Sequence, residues 1–410
     1  MSQTLCILGR QPALGLAELE SLYGSGVLRP VGQTAALLEL EPRHIDFSRL
    51  GGTVKFCKVL TVIDSSNWGD IQKFLAQSIP EHLDYLPEGK LKLGLSVFGL
   101  KGVSVQRLNA TALELKKTIK REGRNVRVIP NKELALNSAQ VLHNQLTGSL
   151  GWEFVFVADG QRTILAQNIA EQDIDAYSLR DRERPKRDSR VGMLPPKLAQ
   201  IIINLGAGRQ PAPPATTDED CGSLSSVNFD KTVLDPFCGT GVLLQEALMM
   251  GYEAYGTDLE PRMVEYSDTN LHWLQTTIRP IGTSFRLEVA DGTNYEWPHQ
   301  KSFIACETYL GRALTTLPSE NDLQQIVQDC NYIHKKFLQN LARQVNPGFR
   351  ACIAVPTWRT KQGFKHMPVL DQLTDLGYTR MSFVHAAESD LVYYRDDQVV
   401  GRELVVLERK

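Results

Sequence analysis

The chain is expected to end in an α/β domain built on a mostly parallel sheet, preceded by two smaller α+β segments. Three observations carry this expectation. From Lys231 onward, apolar strand-length runs alternate with segments of helical period, and such alternation demands parallel strands covered by crossover helices. Charge changes near residue 190, with 25 basic and 21 acidic residues before it and 20 and 26 after it, so the halves have different work to do. Residues 207–230, rich in Pro, Ala, Ser, Thr and Asp, have the composition of a mobile linker.

A length of 410 residues with 42% hydrophobic content is ample for about three packed domains. The overall balance, net −2, excludes a uniformly basic nucleic-acid coat but leaves room for a basic face. Such a face is expected between Lys101 and Lys132, where nine basic residues, among them Lys116, Lys117, Lys120, Arg121 and Arg124, meet two acids. A polyanion partner fits this run; a solvated helix face is the plainer alternative. Seven scattered cysteines without Cys-x-x-Cys spacing indicate neither a disulfide framework nor a structural zinc site, and the histidines show no metal spacing. With no charged-then-apolar leader and no apolar run of about 18 residues, a soluble cytoplasmic protein with no membrane partner is expected.

Taken in order, residues 3–8 read as a strand, and Leu14, Leu16, Leu19 and Leu22 mark a helix that stops at Tyr23-Gly24. Strands near 35–40 and 53–62 complete a module over residues 1–75. Residues 76–175 hold a second one: a strand at 91–98, a basic helix at 110–122, strands at 126–129, 154–158 and 163–168, and helical spacing over 138–146. Asp159-Gly160 is the hairpin turn between the last two strands. Residues 176–206 form a basic connector, including Arg180 to Arg190, followed by a helix that Pro195-Pro196 starts. Residues 231–410 then alternate strand and helix, and a closing hairpin (391–395 and 404–408) predicts that the sheet finishes with an antiparallel strand.

Within that last domain, Val233-Leu234-Asp235-Pro236-Phe237-Cys238-Gly239-Thr240-Gly241 runs an apolar strand into a glycine-rich turn that opens a helix. Glycine lets the backbone approach a ligand closely, and the helix N-terminus favours negative charge. The next strand ends at Asp258, placed to accept from ribose hydroxyls, and the third at Asp291-Gly292, so carboxylates converge on one sheet edge. Leu244 stands where a dinucleotide fingerprint wants a third glycine, and no P-loop pattern is present. Asp258 could instead cap the following helix, and Asp291 could simply shape its turn.

These residues resemble the cofactor loop of class I S-adenosylmethionine-dependent methyltransferases with a Rossmann-like sheet. The Asp-Pro-Phe-Cys-Gly-Thr-Gly form is similar to that of THUMP-containing tRNA guanosine-N2 methyltransferases. Gly192 to Ala199, Glu246-Ala247, Gly256 to Asp258 and Asn270-Leu271 agree with that family as well. The resemblance implies S-adenosylmethionine as cofactor. It places Asp235 and the backbone of Phe237, Cys238, Gly239 and Gly241 against the methionine moiety, Asp258 against the ribose, and Asp291-Gly292 beside the adenine amine.

It further implies a ferredoxin-like module over 1–75 and a THUMP-like RNA-binding domain over 76–175, with Arg182 and Arg184 of the connector lining an RNA path. RNA, and tRNA in particular, is the implied partner, and some members need a small activating protein subunit. The sequence departs from the family after the fourth strand, where Glu307-Thr308-Tyr309-Leu310 lacks both prolines of the catalytic motif. Glu307 and Tyr309 are expected to act there on the exocyclic amine of a base, the carboxylate as acceptor and the ring as stacking face. A non-catalytic RNA-binding protein that keeps the cofactor fold, and a DNA amino-methyltransferase, are the alternatives.

Overall fold

The computed structural model describes residues 3–188, 193–209, 231–278, 283–298 and 301–410. Most of the expected 207–230 linker, together with Arg190 and Gly192, lies outside these residues. The chain forms two compact units, one of residues 1–12, 26–48 and 53–176, the other of residues 13–25, 49–52 and 177–410. Among the described residues no helix is long and apolar enough to cross a membrane.

The elements up to residue 182 are β1 (Thr4–Leu8), α1 (Pro12–Tyr23), β2 (Leu28–Val31), β3 (Ala35–Leu38), β4 (Thr53–Ile63), α2 (Trp68–Ser78), β5 (Leu91–Phe98), α3 (Val105–Arg121), β6 (Val126–Val128), α4 (Ser138–His143), β7 (Gly151–Asp159), β8 (Arg162–Glu171) and α5 (Ile174–Arg182). All eight strands join one mixed sheet in the order β2-β3-β1-β4-β8-β7-β5-β6. The two α+β segments expected on either side of residue 75 therefore share a sheet. Their seam is the antiparallel pairing of β4 with β8, from Lys55 opposite Glu171 to Ile63 opposite Thr163. An eleven-residue strand rich in Val and Thr would expose a long ladder if left at an edge, and β8 covers it. Helix α3 starts at Ser104, whose hydroxyl caps Arg107 N–H. It buries Leu108, Ala112, Leu115 and Ile119 at helical spacing, which turns its lysines outward. Helix α2, unforeseen in sequence, buries Trp68 edge-on to Phe156 at 5.3 Å.

The second unit continues with α6 (Pro196–Ala207), β9 (Thr232–Asp235), α7 (Val242–Met249), β10 (Glu253–Asp258), α8 (Pro261–Trp273), β11 (Phe285–Val289), β12 (Phe303–Glu307), α9 (Glu320–Ala342), β13 (Arg350–Thr360), β14 (Gly363–Lys365), β15 (Tyr378–Arg380), β16 (Val392–Tyr393) and β17 (Val400–Arg409). Its sheet runs β11-β10-β9-β12-β13-β17-β15, with β14 paired to β13 and β16 to β17. Strands β9 to β13 are parallel and β17 is antiparallel. Strand β17, the last of the chain, is antiparallel as expected and pairs with β16 in the expected hairpin; within the sheet it lies between β13 and β15 rather than at an edge. Leu404, Val405, Val406 and Leu407 are all buried, so β17 is covered on both faces and would be unsuited to an open edge.

Helix α1 belongs to this unit rather than to the module expected over 1–75. Leu14 and Ala17 pack with Leu198 and Ile202 of α6. The buried Glu18 carboxylate accepts the N–H groups of Gly51 and Gly52 and the Asn204 amide, each at 2.8–2.9 Å. An all-round buried helix needs such a seat.

Candidate functional site

The strand order reverses between β9 and β12: the chain builds outward from β9 through β10 to β11, then returns to lay β12 on the other side. Loops leaving β9 and β12 therefore diverge and open a crevice at their carboxyl ends, the usual ligand position in such sheets. Alternation decides which side chains reach one face of it. Val233, Phe303, Ala305 and Ala354 pack in the core under α6, whereas Leu234, Ile304, Cys306 and Ile353 pack in the core under α9. Asp235 and Glu307 continue the first set, so both carboxylates stand on the α6 face of the sheet edge.

The glycine turn is pinned from three sides. Asp258 accepts the Gly239 N–H and the Glu260 N–H at 2.9 Å each. Ser267 Oγ donates to Gly239 O at 2.8 Å, and the Asn270 amide donates to Thr240 O at 2.9 Å. Gly241, the N-cap of α7, has φ +80°, and a Cβ there would sit 2.9 Å from Ser267 Oγ; close packing and left-handed backbone both require glycine. Cys238 is buried in the turn, its N–H bonded to Thr257 O. The first turn of α7 thus aims its unsatisfied N–H groups at the crevice. The Phe237 N–H donates to Asp235, while its ring packs edge-on to Phe337 at 5.0 Å, so this residue serves the turn through its backbone.

Asp258 therefore holds the turn and accepts the N–H of Glu260, the N-cap residue of α8, which is close to the capping role weighed from sequence as the alternative to a ribose acceptor. Asp291 shapes its own turn by accepting Thr293 N–H at 2.9 Å and facing the Asn294 amide. Gly292 lies so close to the Phe237 ring that a Cβ would come within 3.3 Å. Sequence reasoning missed Leu259 and Val289, 64% and 52% exposed at the ends of β10 and β11, which present apolar surface beside Asp258 and Asp291. An exposed leucine directly after a strand-end acid was the available signal.

Electrostatics set this edge apart. Burial, and then the charges of Asp258 and Glu307, push the Asp235 carboxyl well above the ordinary carboxylate range. Burial also raises Asp258 and Glu307, against the hydrogen bonds and, for Glu307, the guanidinium that favour their charged forms. An acid whose ionisation is disfavoured by two neighbouring acids, as Asp235 is, would be relieved by a cation. S-adenosylmethionine carries a sulfonium and an ammonium, and at Gly241 the turn has room only for backbone, so these residues fit that cofactor. Asp258 and the Gly239 to Gly241 turn would hold it.

Several expected site residues are placed otherwise. Glu307 forms an ion pair with Arg402 of β17, which is 5% exposed and was not singled out in sequence. Thr308 turns to the other face, its hydroxyl on His334 Nε2 at 2.6 Å. Tyr309 follows it and is 43% exposed, and its hydroxyl is raised by burial and by nearby Cys330 and Asp329 of α9. Glu307 and Tyr309 are thus not brought together as expected: the regular pleat, which would set residues two apart on one face, ends with β12 at Glu307, and Tyr309 lies beside Cys330 and Asp329 of α9.

Arg184, expected along an RNA path, is only 2% exposed, packed where the connector meets α7, and its guanidinium has no hydrogen-bond partner among the described residues. Arg182 is exposed, and Arg180 instead forms a buried ion pair with Glu246 at 2.7 Å. On α3, Lys117, Lys120 and Arg121 are exposed and Lys116 is half-buried, with Lys117 paired to Glu114 at 2.8 Å. Arg124 departs from the expected surface role: it is half-buried and donates to Pro87 O at 2.6 Å.

No protein-family model matches the chain. Over 165 residues it is 26% identical to the tRNA (guanine(10)-N2)-dimethyltransferase of Methanothermobacter thermautotrophicus, covering 40% of this chain and 39% of that protein. The enzyme of the same name from Pyrococcus abyssi is 29% identical over 137 residues, 33% of either chain. The matches thus span well under half the length of these curated relatives. The crystal structure of TrmN from Thermus thermophilus aligns over 100% of both chains with a TM-score of 0.50 and 14% identity, a likeness of fold. Together with its strand order, this gives the second unit a Rossmann-like methyltransferase fold.

Proposed function

We propose that the chain is an S-adenosylmethionine-dependent RNA methyltransferase, with tRNA as substrate and the N2 amine of guanine as the favoured acceptor. The observation that carries this reading is the convergence of Asp235, Asp258 and Glu307 on the switch-point crevice beside the glycine turn. The named activity of the curated relatives supports the choice of tRNA and of guanine N2. In this reading the first unit, expected as ferredoxin-like and THUMP-like, binds RNA through the exposed lysines of α3, and backbone charge supplies most of that affinity.

When bound, the cofactor supplies an electrophilic methyl group. The protein's part is to place the amine. Asp258 accepts hydrogen bonds from the ribose hydroxyls while keeping the turn closed, and the α7 N-terminus offers N–H groups to a carboxylate. Arg402 fixes one side of the Glu307 carboxylate, and its remaining lone pairs accept the amine N–H, which aims the nitrogen lone pair away from Glu307. The Glu307 carboxylate, whose side chain is 15% exposed, then receives the proton that the amine sheds and passes it to solvent.

The second reading, an RNA-binding protein that keeps the cofactor without catalysis, is favoured by one observation: both motif prolines are absent and Glu307 is already engaged by Arg402. Incubation of the purified chain with labelled S-adenosylmethionine and total tRNA, followed by mass spectrometry of the nucleosides, separates the two. Labelled N2-methylguanosine is the expected product. Tight cofactor binding with no label on any RNA would leave the second reading standing.

A further inference from the structure

Glu307, the last residue of β12, stands on the α6 face, whereas Tyr309, beyond the strand, lies beside Cys330 and Asp329 of α9, so the aromatic partner of Glu307 has to be sought on its own face. Strand alternation identifies that face without ambiguity. On β17, Leu404 packs in the same core as Phe303 and Ala305, and Arg402, two residues before it, continues the row to Glu307. Strand β16 pairs with β17 so that Tyr393 stands directly opposite Arg402. Cross-strand partners of an antiparallel pair share a face. Tyr393 accordingly packs, half-buried, against the α6-side core. Asp235, two residues after Val233, joins them.

We propose that the target base is bound on this face, with Arg402 as the positioning residue for Glu307 and Tyr393, not Tyr309, as the ring that stacks on the base. The proposal rests on the reading of the chain as a base-amine methyltransferase and names the base that the face suits. Arg402 Nε engages Oε1 of Glu307, orienting the carboxylate and favouring its charged form against burial, and among the described residues no other donor takes its remaining lone pairs. A charged carboxylate accepts from adjacent N–H donors. Guanine offers its exocyclic amine next to a ring N–H, whereas adenine and cytosine set the amine beside a ring acceptor that a carboxylate repels. The face therefore selects guanine.

The test compares five variants of the full chain, Tyr393→Ala, Tyr393→Phe, Tyr309→Ala, Arg402→Gln and Arg402→Lys, in methylation of tRNA, with cofactor affinity by calorimetry and folding by circular dichroism. Tyr393→Ala should lose about 10- to 100-fold in kcat/KM, the range of one base stack, while Tyr393→Phe stays near wild type. Tyr309→Ala should change little. Arg402→Gln should lower kcat more than it raises KM, and Arg402→Lys should recover part of the loss; cofactor affinity should stay within about 2-fold throughout. Loss in Tyr309→Ala with a neutral Tyr393→Ala would overturn the proposal alone. A wild-type chain that binds cofactor but modifies no RNA would overturn the underlying function and the proposal with it. Should Arg402→Gln fail to fold, the Tyr393 and Tyr309 variants still decide.

Discussion

Glu153 and Glu171 in the first unit are buried about as deeply as Asp235 in the second, yet their surroundings differ in kind. Lys55 sits between the two glutamates at 2.9 and 3.0 Å, and Asn168 donates to both at 2.7 Å. The hydroxyls of Ser96 and Ser138 take the remaining sides. The cluster supplies its own cation and fills each carboxylate oxygen. Asp235 receives one backbone N–H and faces two further acids. Burial of acids thus says little about function; what marks the switch-point crevice is that Arg402 pairs with Glu307 whereas, among the described residues, Asp235 faces acids without a cation of its own. The first cluster is architecture joining β4, β7 and β8, and the second leaves at Asp235 a charge that a cationic ligand would relieve.

The sharpest way to break this contrast is to remove one acid from each. Glu153→Ala strips Lys55 and Asn168 of a partner inside a closed network, and should cost about 3–5 kcal/mol in denaturant unfolding. Asp235→Asn retains the acceptor for Phe237 N–H and removes a repelled charge, so the ligand-free chain should unfold no earlier than wild type, while cofactor binding weakens. Equal destabilisation by the two changes would erase the distinction. The tension at Asp235 is the kind of stability cost that functional sites carry.

A second test uses acid. His334 is buried, its Nδ1 on Cys330 O and its Nε2 on the Thr308 hydroxyl, both at 2.6 Å. Facing a carbonyl, Nδ1 carries the proton, and Nε2 accepts. Burial lowers its pKa to about 4 from the ordinary 6.5. A depressed folded pKa contributes stability that is complete above 6.5 and lost as pH falls toward 4, because the unfolded chain takes up its proton first. Denaturant unfolding between pH 7 and 4 should therefore lose on the order of 2–3 kcal/mol from this group, and His334→Gln should flatten that slope. A slope unchanged in the variant would show that His334 does not hold the Thr308 turn in neutral form.

Third, Asp258→Ala should weaken S-adenosylmethionine binding by about 1.5–3 kcal/mol in calorimetry, since it removes both a ribose acceptor and the anchor of Gly239 N–H. Undiminished affinity would remove Asp258 from the site and leave it as a helix cap.

What could be read from sequence follows from how local the physics is. The strand from Glu253 to Asp258 was bounded to the residue, and Leu91 to Phe98 likewise, because apolar runs between turn residues are self-contained signals. The glycine turn and its acids were legible for the same reason, since each lies at a strand end. The insertion of β17, the shared sheet of the first unit and the removal of α1 to the second unit depend on partners remote in sequence, such as Glu18 with Asn204. Arg402 escaped notice because nothing near residue 402 announces Glu307, which lies 95 residues away and meets it only through the sheet. Arg184 and Arg124 were misread by composition, which counts charges without showing which ones the fold buries.

The smallest expected effect concerns where the first unit spends its charge, if its buried cluster is only architecture. Helix α3 turns Lys117 and Lys120 outward, but the two are not equivalent. Lys117 is held by Glu114 one turn earlier, whereas Lys120 has lysines at 116 and 117, Gly123 and Arg124 at the helix-neighbour positions and no acid among them. A phosphate contact from Lys117 must first displace its exposed partner, and an exposed pair of this kind is worth up to about 1 kcal/mol. Lys120→Ala should therefore reduce tRNA affinity and lower its salt slope by about one, with Lys117→Ala doing less on both counts. Filter binding over a range of salt concentrations reads both quantities. If neither change moves affinity or slope, α3 is a solvated face and the RNA contact of the first unit lies on other residues.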